Sequence, residues 1–182
     1  MAEPRWSQDA YKRALDFAAS AHGDQRVPGS GAPYVVHLTK VAMETMAAVV
    51  DDVSLDADLG IACALLHDSV EDAGVTPAQL EAEFGAAVAA GVVGLTKNDA
   101  LPKEQRMADS LARLRLLPRE VQLVKLADRI TNLEPPPPKW SVEKRRGYRE
   151  EARAILAALT GSSPLLEQRI AAKIEAYVAY CV

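Results

Sequence analysis

A chain of 182 residues that is 49% apolar and 25% charged has enough material for one buried core and the composition of an ordinary globular domain. Its formal net charge of −4 argues against a general nucleic-acid binder, while local basic clusters remain suited to a phosphorylated small molecule. No apolar run reaches membrane-spanning length, and the first twenty residues lack the continuous apolar stretch of an export signal. The isolated Cys63 and Cys181 read as reduced thiols, so the expectation is a cytoplasmic protein with no membrane partner.

Apolar residues recur at spacings of three and four nearly throughout, and strand-like alternation is almost absent, which predicts an all-α single domain over 1–182. The first helix, 8–21, leads into the Gly- and Pro-rich loop 22–34, "HGDQRVPGSGAPY". His37 opens the second helix, 36–50, where a lone histidine is ordinarily a capping or packing residue. The third, 56–73, runs through the apolar "IACALL" and places His67, Asp68, Glu71 and Asp72 in its last two turns, with Gly74 just past its end. Three carboxylates there oppose the partial negative charge of a helix C-terminus, so a solvated end or a nearby cation has to resolve the conflict.

Next come 77–83, with Thr76 as N-cap and Pro77 at the first helical position, then 85–96, and 103–115 opening in "LPKEQR". Helix 118–133 starts with Pro118 at its first position and carries "LVKLADRITNL". Within it Asp128 lies among apolar neighbours and requires a partner: Lys125 or Arg129 on the same helix, or a metal ion. Prolines in "EPPPPK", 134–139, force an extended path and end that helix. Helices 141–159 and 164–180, the latter capped by Ser163, complete the chain. One histidine, a His-Asp pair and a distant aspartate on three helices together offer two nitrogen and two oxygen ligands to one divalent ion, leaving room for water and substrate.

The stretches "YVVHLTKVA", "LLHDSVEDAGVT" and "VKLADRITNL", in that order, resemble the HD-domain hydrolases that remove the 3′-pyrophosphate from the alarmone (p)ppGpp, the hydrolase half of RelA/SpoT proteins. The resemblance extends to their single-domain members, the small alarmone hydrolases, through "EAEFGAAVAAGVVGLT", "LPKEQR" and "KWSVEKRRGYREEA", and covers roughly residues 10–160. It implies an HD-type helical bundle with His37, His67, Asp68 and Asp128 as ligands of one Mn2+ ion. Glu71 and Asp72 would be the catalytic acids, positioning the water that attacks the phosphorus next to the 3′ oxygen and handling its proton. Asn132 and Tyr148 match positions lining the nucleoside pocket, and Arg26 falls near the arginine that packs on the purine. Lys97, Lys103 and Arg106 offer cations to the 5′ phosphates, or are ordinary surface charge.

Departures from the pattern cluster on the nucleotide side. "QRVPGSG" puts Arg26 directly after Gln25 and Val27 in the usual arginine place, Thr131 stands where an aromatic or His is common, and Glu134 replaces a basic residue. His22 matches a non-ligand histidine. Base choice is therefore open between (p)ppGpp and the adenosine alarmone (p)ppApp. Two other readings are an HD phosphohydrolase of other nucleotides and a non-catalytic, antitoxin-like alarmone-binding module; the latter would be expected to have lost a ligand or an acid, and all six positions are present. Oligomeric state and the role of the basic stretch Lys144 to Arg149 are left open by the sequence.

Overall fold

The computed structural model describes residues 5–182, and among these the regular structure is helical apart from one isolated bridge between Arg26 and Pro33. The helices are α1 (Gln8–His22), α2 (Val35–Asp51), α3 (Ala57–Leu66), α4 (Ser69–Asp72), α5 (Pro77–Phe84), α6 (Ala86–Leu95), α7 (Lys103–Leu114), α8 (Arg119–Asn132), α9 (Val142–Ala158) and α10 (Pro164–Ala176). A 3-10 turn, Tyr177–Tyr180, follows α10. Side chains cap several starts as their types require: Ser7, Asp56, Ser141 and Ser163 each accept from a first-turn amide, and Thr76 with Gln79 forms a reciprocal capping box.

α3 is the central element. Its Ile61, Cys63, Ala64, Leu65 and Leu66 are all buried, and it packs against α1, α2, α6 and α8. Small residues make that approach possible. A Cβ on Gly91 of α6 would lie 2.6 Å from Cys63 Sγ and 3.0 Å from Val121 Cγ2, so only glycine lets α6 come this close to α3 and α8. α10 is joined to α2 by a two-pronged ion pair, Arg169 on the buried Glu44.

Three boundaries differ from the sequence expectation. The helix expected over 56–73 is interrupted: α3 ends at Leu66, His67 and Asp68 form a turn, and α4 is a separate short helix. Asp68 has φ −98° and ψ 0°, the bridge conformation, which redirects the chain so that His67 and Asp68 face α2 and α8 together. Neither Gly nor Pro marks that break. Pro118 caps α8 from outside rather than starting it, and the last predicted helix tightens after Ala176 into the 3-10 turn.

The basic stretch of α9 has an internal role. Arg149 Nε donates to the Ile174 carbonyl at 2.8 Å, Arg146 Nε to that of Cys181 at 2.9 Å, and Arg145 reaches the Tyr180 and Pro138 carbonyls. The Ile174, Tyr180 and Cys181 carbonyls so bonded lie at the end of α10 and beyond it, where a helix leaves acceptors unpaired, and the Pro138 carbonyl lies in the loop before α9.

Candidate active site

Three elements bring the expected donors together. His37 comes from the first turn of α2, His67 and Asp68 from the turn after α3, and Asp128 from α8. The two imidazole Nε2 atoms are 3.3 Å apart. Asp128 Oδ1 lies 3.5 Å from that of His37 and 3.8 Å from that of His67. Asp68 Oδ2 adjoins the trio at 3.0 Å from His67 and 3.6 Å from His37. His37, His67 and Asp128 each offer a ligand atom within 4.8 Å of the others; both histidines are buried and Asp128 is nearly so.

The donor chemistry fits a divalent cation. His67 Nδ1 is 2.8 Å from the Ala64 carbonyl, an acceptor that fixes the proton on Nδ1 and leaves the Nε2 lone pair facing the cluster. Burial opposes charge on this ring, yet the Asp68 and Asp128 carboxylates outweigh it and push its pKa well above the ordinary histidine value. Burial alone would raise both aspartates. His67 beside Asp68, and Lys125 with the two histidines beside Asp128, instead hold them well below the usual carboxylate range. The cluster thus demands positive charge at its centre, and two nitrogens with carboxylate oxygens are a donor set for a divalent first-row ion. Asn132 Nδ2 donates to Asp128 Oδ1 at 2.5 Å and Lys125 Nζ approaches Oδ2 at 3.5 Å, which fixes that carboxylate's orientation.

α4 places Glu71 and Asp72 beside the cluster. Glu71 accepts from Lys97 Nζ at 2.7 Å and from the Lys97 amide at 3.2 Å, so this predicted phosphate ligand is also the partner of a predicted catalytic acid. Asp72 has its pKa raised by burial and by the charges of Asp68 and Glu71. Both aspartates meet at Tyr34, whose hydroxyl donates to Asp68 Oδ2 at 2.6 Å and lies 3.3 Å from Asp72 Oδ2. Tyr34 is absent from the sequence expectation, although its place three residues before His37, one helical turn away, is the available signal. Its ring stacks on His22 with centroids 4.7 Å apart, and His22 stands behind it outside the donor set, bonded through Nδ1 to Gln25 at 2.8 Å.

Two cavities meet at this centre. The first, about 420 Å3, is lined by the acids Asp68, Glu71, Asp72 and Asp128 and by the cations Lys97, Lys103, Arg106, Lys125 and Arg129. Arg106 is held there by Asp99 and, at 2.9 Å, by the Leu101 carbonyl. Arg129 is a further cation that sequence reasoning had treated only as a partner for Asp128. It is 5% exposed, its guanidinium lies 4.1 Å over the Tyr148 ring, and its Nε has no partner.

The second cavity, about 710 Å3, lies between the 27–32 loop and prolines 135–138, with Val36, Trp140 and Tyr177 completing apolar walls. Asn132 and Tyr148 line both cavities; His67, Asp68 and Asp128 line the first and His37 the second. Thr131 and Glu134 line the second as well, Glu134 being paired with Lys173 at 3.2 Å. Arg26 is not brought to either cavity: it is exposed, and Val27 occupies the wall instead. The loop's register explains this, because Val27 N donates to Ala32 O at 2.8 Å and Arg26 pairs with Pro33 across it.

Comparison with known proteins places the fold and the family. The HD domain family matches residues 14–164. The chain is 34% identical over 162 residues to guanosine-3′,5′-bis(diphosphate) 3′-pyrophosphohydrolase MESH1 of Danio rerio, covering 86% of this chain and 87% of that protein. It is 35% identical over 164 residues to the Homo sapiens MESH1, covering 86% and 88% respectively. A solved structure of a metazoan ortholog of SpoT, described as hydrolysing ppGpp and playing a role in starvation responses, superposes with a TM-score of 0.81 at 26% identity. That match spans 97% of this chain and 98% of the other. The family match spans most of the chain and the MESH1 relatives are about a third identical over nearly their full length, so the chain belongs to the HD-domain family, alongside the MESH1 pyrophosphohydrolases.

Proposed function

We propose that this protein hydrolyses the 3′-pyrophosphate of purine alarmones, (p)ppGpp foremost, working as one cytoplasmic domain over 1–182 with a single Mn2+ held by His37, His67, Asp68 and Asp128. The observation that carries the reading is the junction of two unlike cavities at the donor set, a charged one fit for a pyrophosphate and an apolar one fit for a nucleoside. When bound, a divalent cation supplies Lewis acidity, drawing electron density from phosphoryl oxygens and making adjacent water more acidic.

The chain's own residues do the rest. Lys103, Arg106, Lys125 and Arg129 offset the substrate's negative charge in the first cavity, where the acids alone would repel it. Tyr34 holds Asp68 and Asp72 in fixed relation, and Lys97 holds Glu71. Water attacks the phosphorus next to the 3′ oxygen and the P–O3′ bond breaks. Glu71 and Asp72 take up the water's proton and return one to the departing oxygen, so pyrophosphate and GDP or GTP are the products. A carboxyl whose pKa is raised, as that of Asp72 is, suits the exchange. The nucleoside extends past Asn132 and Tyr148 into the second cavity. Because Arg26 lines neither cavity, (p)ppApp is retained as a second substrate.

The test is incubation of purified protein and Mn2+ with ppGpp, ppApp and a panel of nucleoside monophosphates, with products resolved by ion exchange. Pyrophosphate together with GDP or ADP is the expected outcome. Phosphate from monophosphates alone, or bound but uncleaved alarmone, would overturn the reading.

A further inference from the structure

Two charged side chains of the second cavity take no part in the hydrolysis. Lys40 follows His37 by one helical turn on α2, and Glu134 follows Asn132 just past the end of α8, so each lies beyond a residue that adjoins the donor set. Both line the cavity and both are exposed, yet among the described residues no ion pair joins them. Glu134 instead accepts from Lys173 Nζ through Oε1 at 3.2 Å, which steadies the carboxylate and leaves Oε2 able to accept from a ligand. Opposite charges that line one cavity without meeting offer a donor and an acceptor to whatever lies between them. The other walls, Trp140, Tyr148 and prolines 135–138, are flat or rigid and apolar, which suits the faces of a planar base and leaves its polar edge to Lys40 and Glu134.

We infer that Glu134 and Lys40 read the edge of the base and select guanine over adenine, the carboxylate accepting from N1–H and the 2-amino group and the ammonium donating to O6. The inference rests on the reading that the substrate is a purine alarmone with its nucleoside in the second cavity. Guanine presents one acceptor beside two donors along this edge, the complement of one ammonium beside one carboxylate. Adenine reverses both: its 6-amino group meets the ammonium donor to donor, and its unprotonated N1 meets the carboxylate lone pair to lone pair. Glu134 stands where a basic residue is common, and a second cation there could not accept from guanine N1–H. Both side chains keep contact with water, so the discrimination is about five- to tenfold rather than the roughly ten-thousandfold of a dry site.

The experiment compares the wild-type protein with Glu134→Gln and Lys40→Met on ppGpp and ppApp with Mn2+ present. The wild-type protein is expected to show the higher kcat/KM on ppGpp, and each variant to lower the ratio of ppGpp to ppApp about fivefold or more, through KM for ppGpp rather than kcat. Mn2+ affinity should match the wild type, because neither side chain touches the donor set. Turnover of both alarmones without a wild-type preference for ppGpp, or an unchanged ratio in either variant, overturns the inference. Equal loss on both alarmones also overturns it, assigning the charges to a part of the substrate that the two share. A fall in the melting temperature of Glu134→Gln with an unchanged ratio overturns it too, leaving Glu134 as a brace for Lys173. Wild-type turnover is read first: no pyrophosphate from either alarmone would overturn the functional reading itself, and this inference with it.

Discussion

At the scale of single residues, Tyr34 is the group that ties the proposed metal ligand Asp68 to the proposed proton-handling acid Asp72, because one hydroxyl contacts both. Partners behind a ligand set its orientation and basicity, and their loss commonly costs ten- to a hundredfold in affinity or activity. Tyr34→Phe should therefore lower kcat about tenfold or more and weaken Mn2+ binding, checked by kinetics beside a metal titration. Full retention of both would remove its role. His67→Ala or Asp128→Asn is expected to lose metal and turnover together. Glu71→Gln combined with Asp72→Asn should instead keep metal by the same titration and release no pyrophosphate. That His67, Asp68 and Asp128 would cluster was legible because His and Asp interrupt apolar helices where a buried charge needs a reason, whereas the proposed roles of His37, Glu71 and Asp72 were legible only through the family resemblance. Tyr34 and Arg129 were not, since an aromatic or an arginine beside apolar neighbours reads equally well as packing or as a surface pair.

At the scale of elements, helix periodicity and capping residues sufficed to place most of the helices, but not the break between α3 and α4. That break lacks Gly or Pro because it is imposed by the convergence of His67 and Asp68 on α2 and α8, a tertiary demand that leaves no local mark. The position of Arg26 was illegible for a similar reason: which residue of a loop faces inward depends on cross-loop hydrogen bonds, here Val27 to Ala32. The close approach of α6 to α3 gives a direct test. Gly91→Ala would put a methyl 2.6 Å from Cys63 Sγ, so a loss of about 1–3 kcal/mol is expected in denaturant unfolding. Adding Cys63→Ala, which removes the sulfur, should restore part of it; equal instability in the double variant would mean that α6 is constrained elsewhere.

For the whole molecule, the donor set links stability to pH and metal. His67 in the metal-free protein has its pKa raised above the reference 6.5, so its contribution is fully present below pH 6.5 and is lost as pH rises through the folded value. Asp68 and Asp128 are depressed from 3.8, so theirs is present above pH 3.8 and lost in acid below it. Metal-free protein should melt progressively lower as pH rises above 6.5, while the increment added by Mn2+ grows over the same interval because the ion displaces the proton. Calorimetry with and without chelator checks this, and an increment independent of pH would contradict it. The two walls of the second cavity also differ in what they can report. The 27–32 loop carries bonded amides, among them Val27 N to Ala32 O at 2.8 Å and Gly31 N to Val27 O at 3.0 Å, whereas prolines 135–138 have no amide hydrogen at all. Deuterium uptake is consequently a one-sided gauge of nucleoside entry: slowed exchange will register on the glycine-bearing wall, and the proline wall will stay silent even where it makes the closer contact.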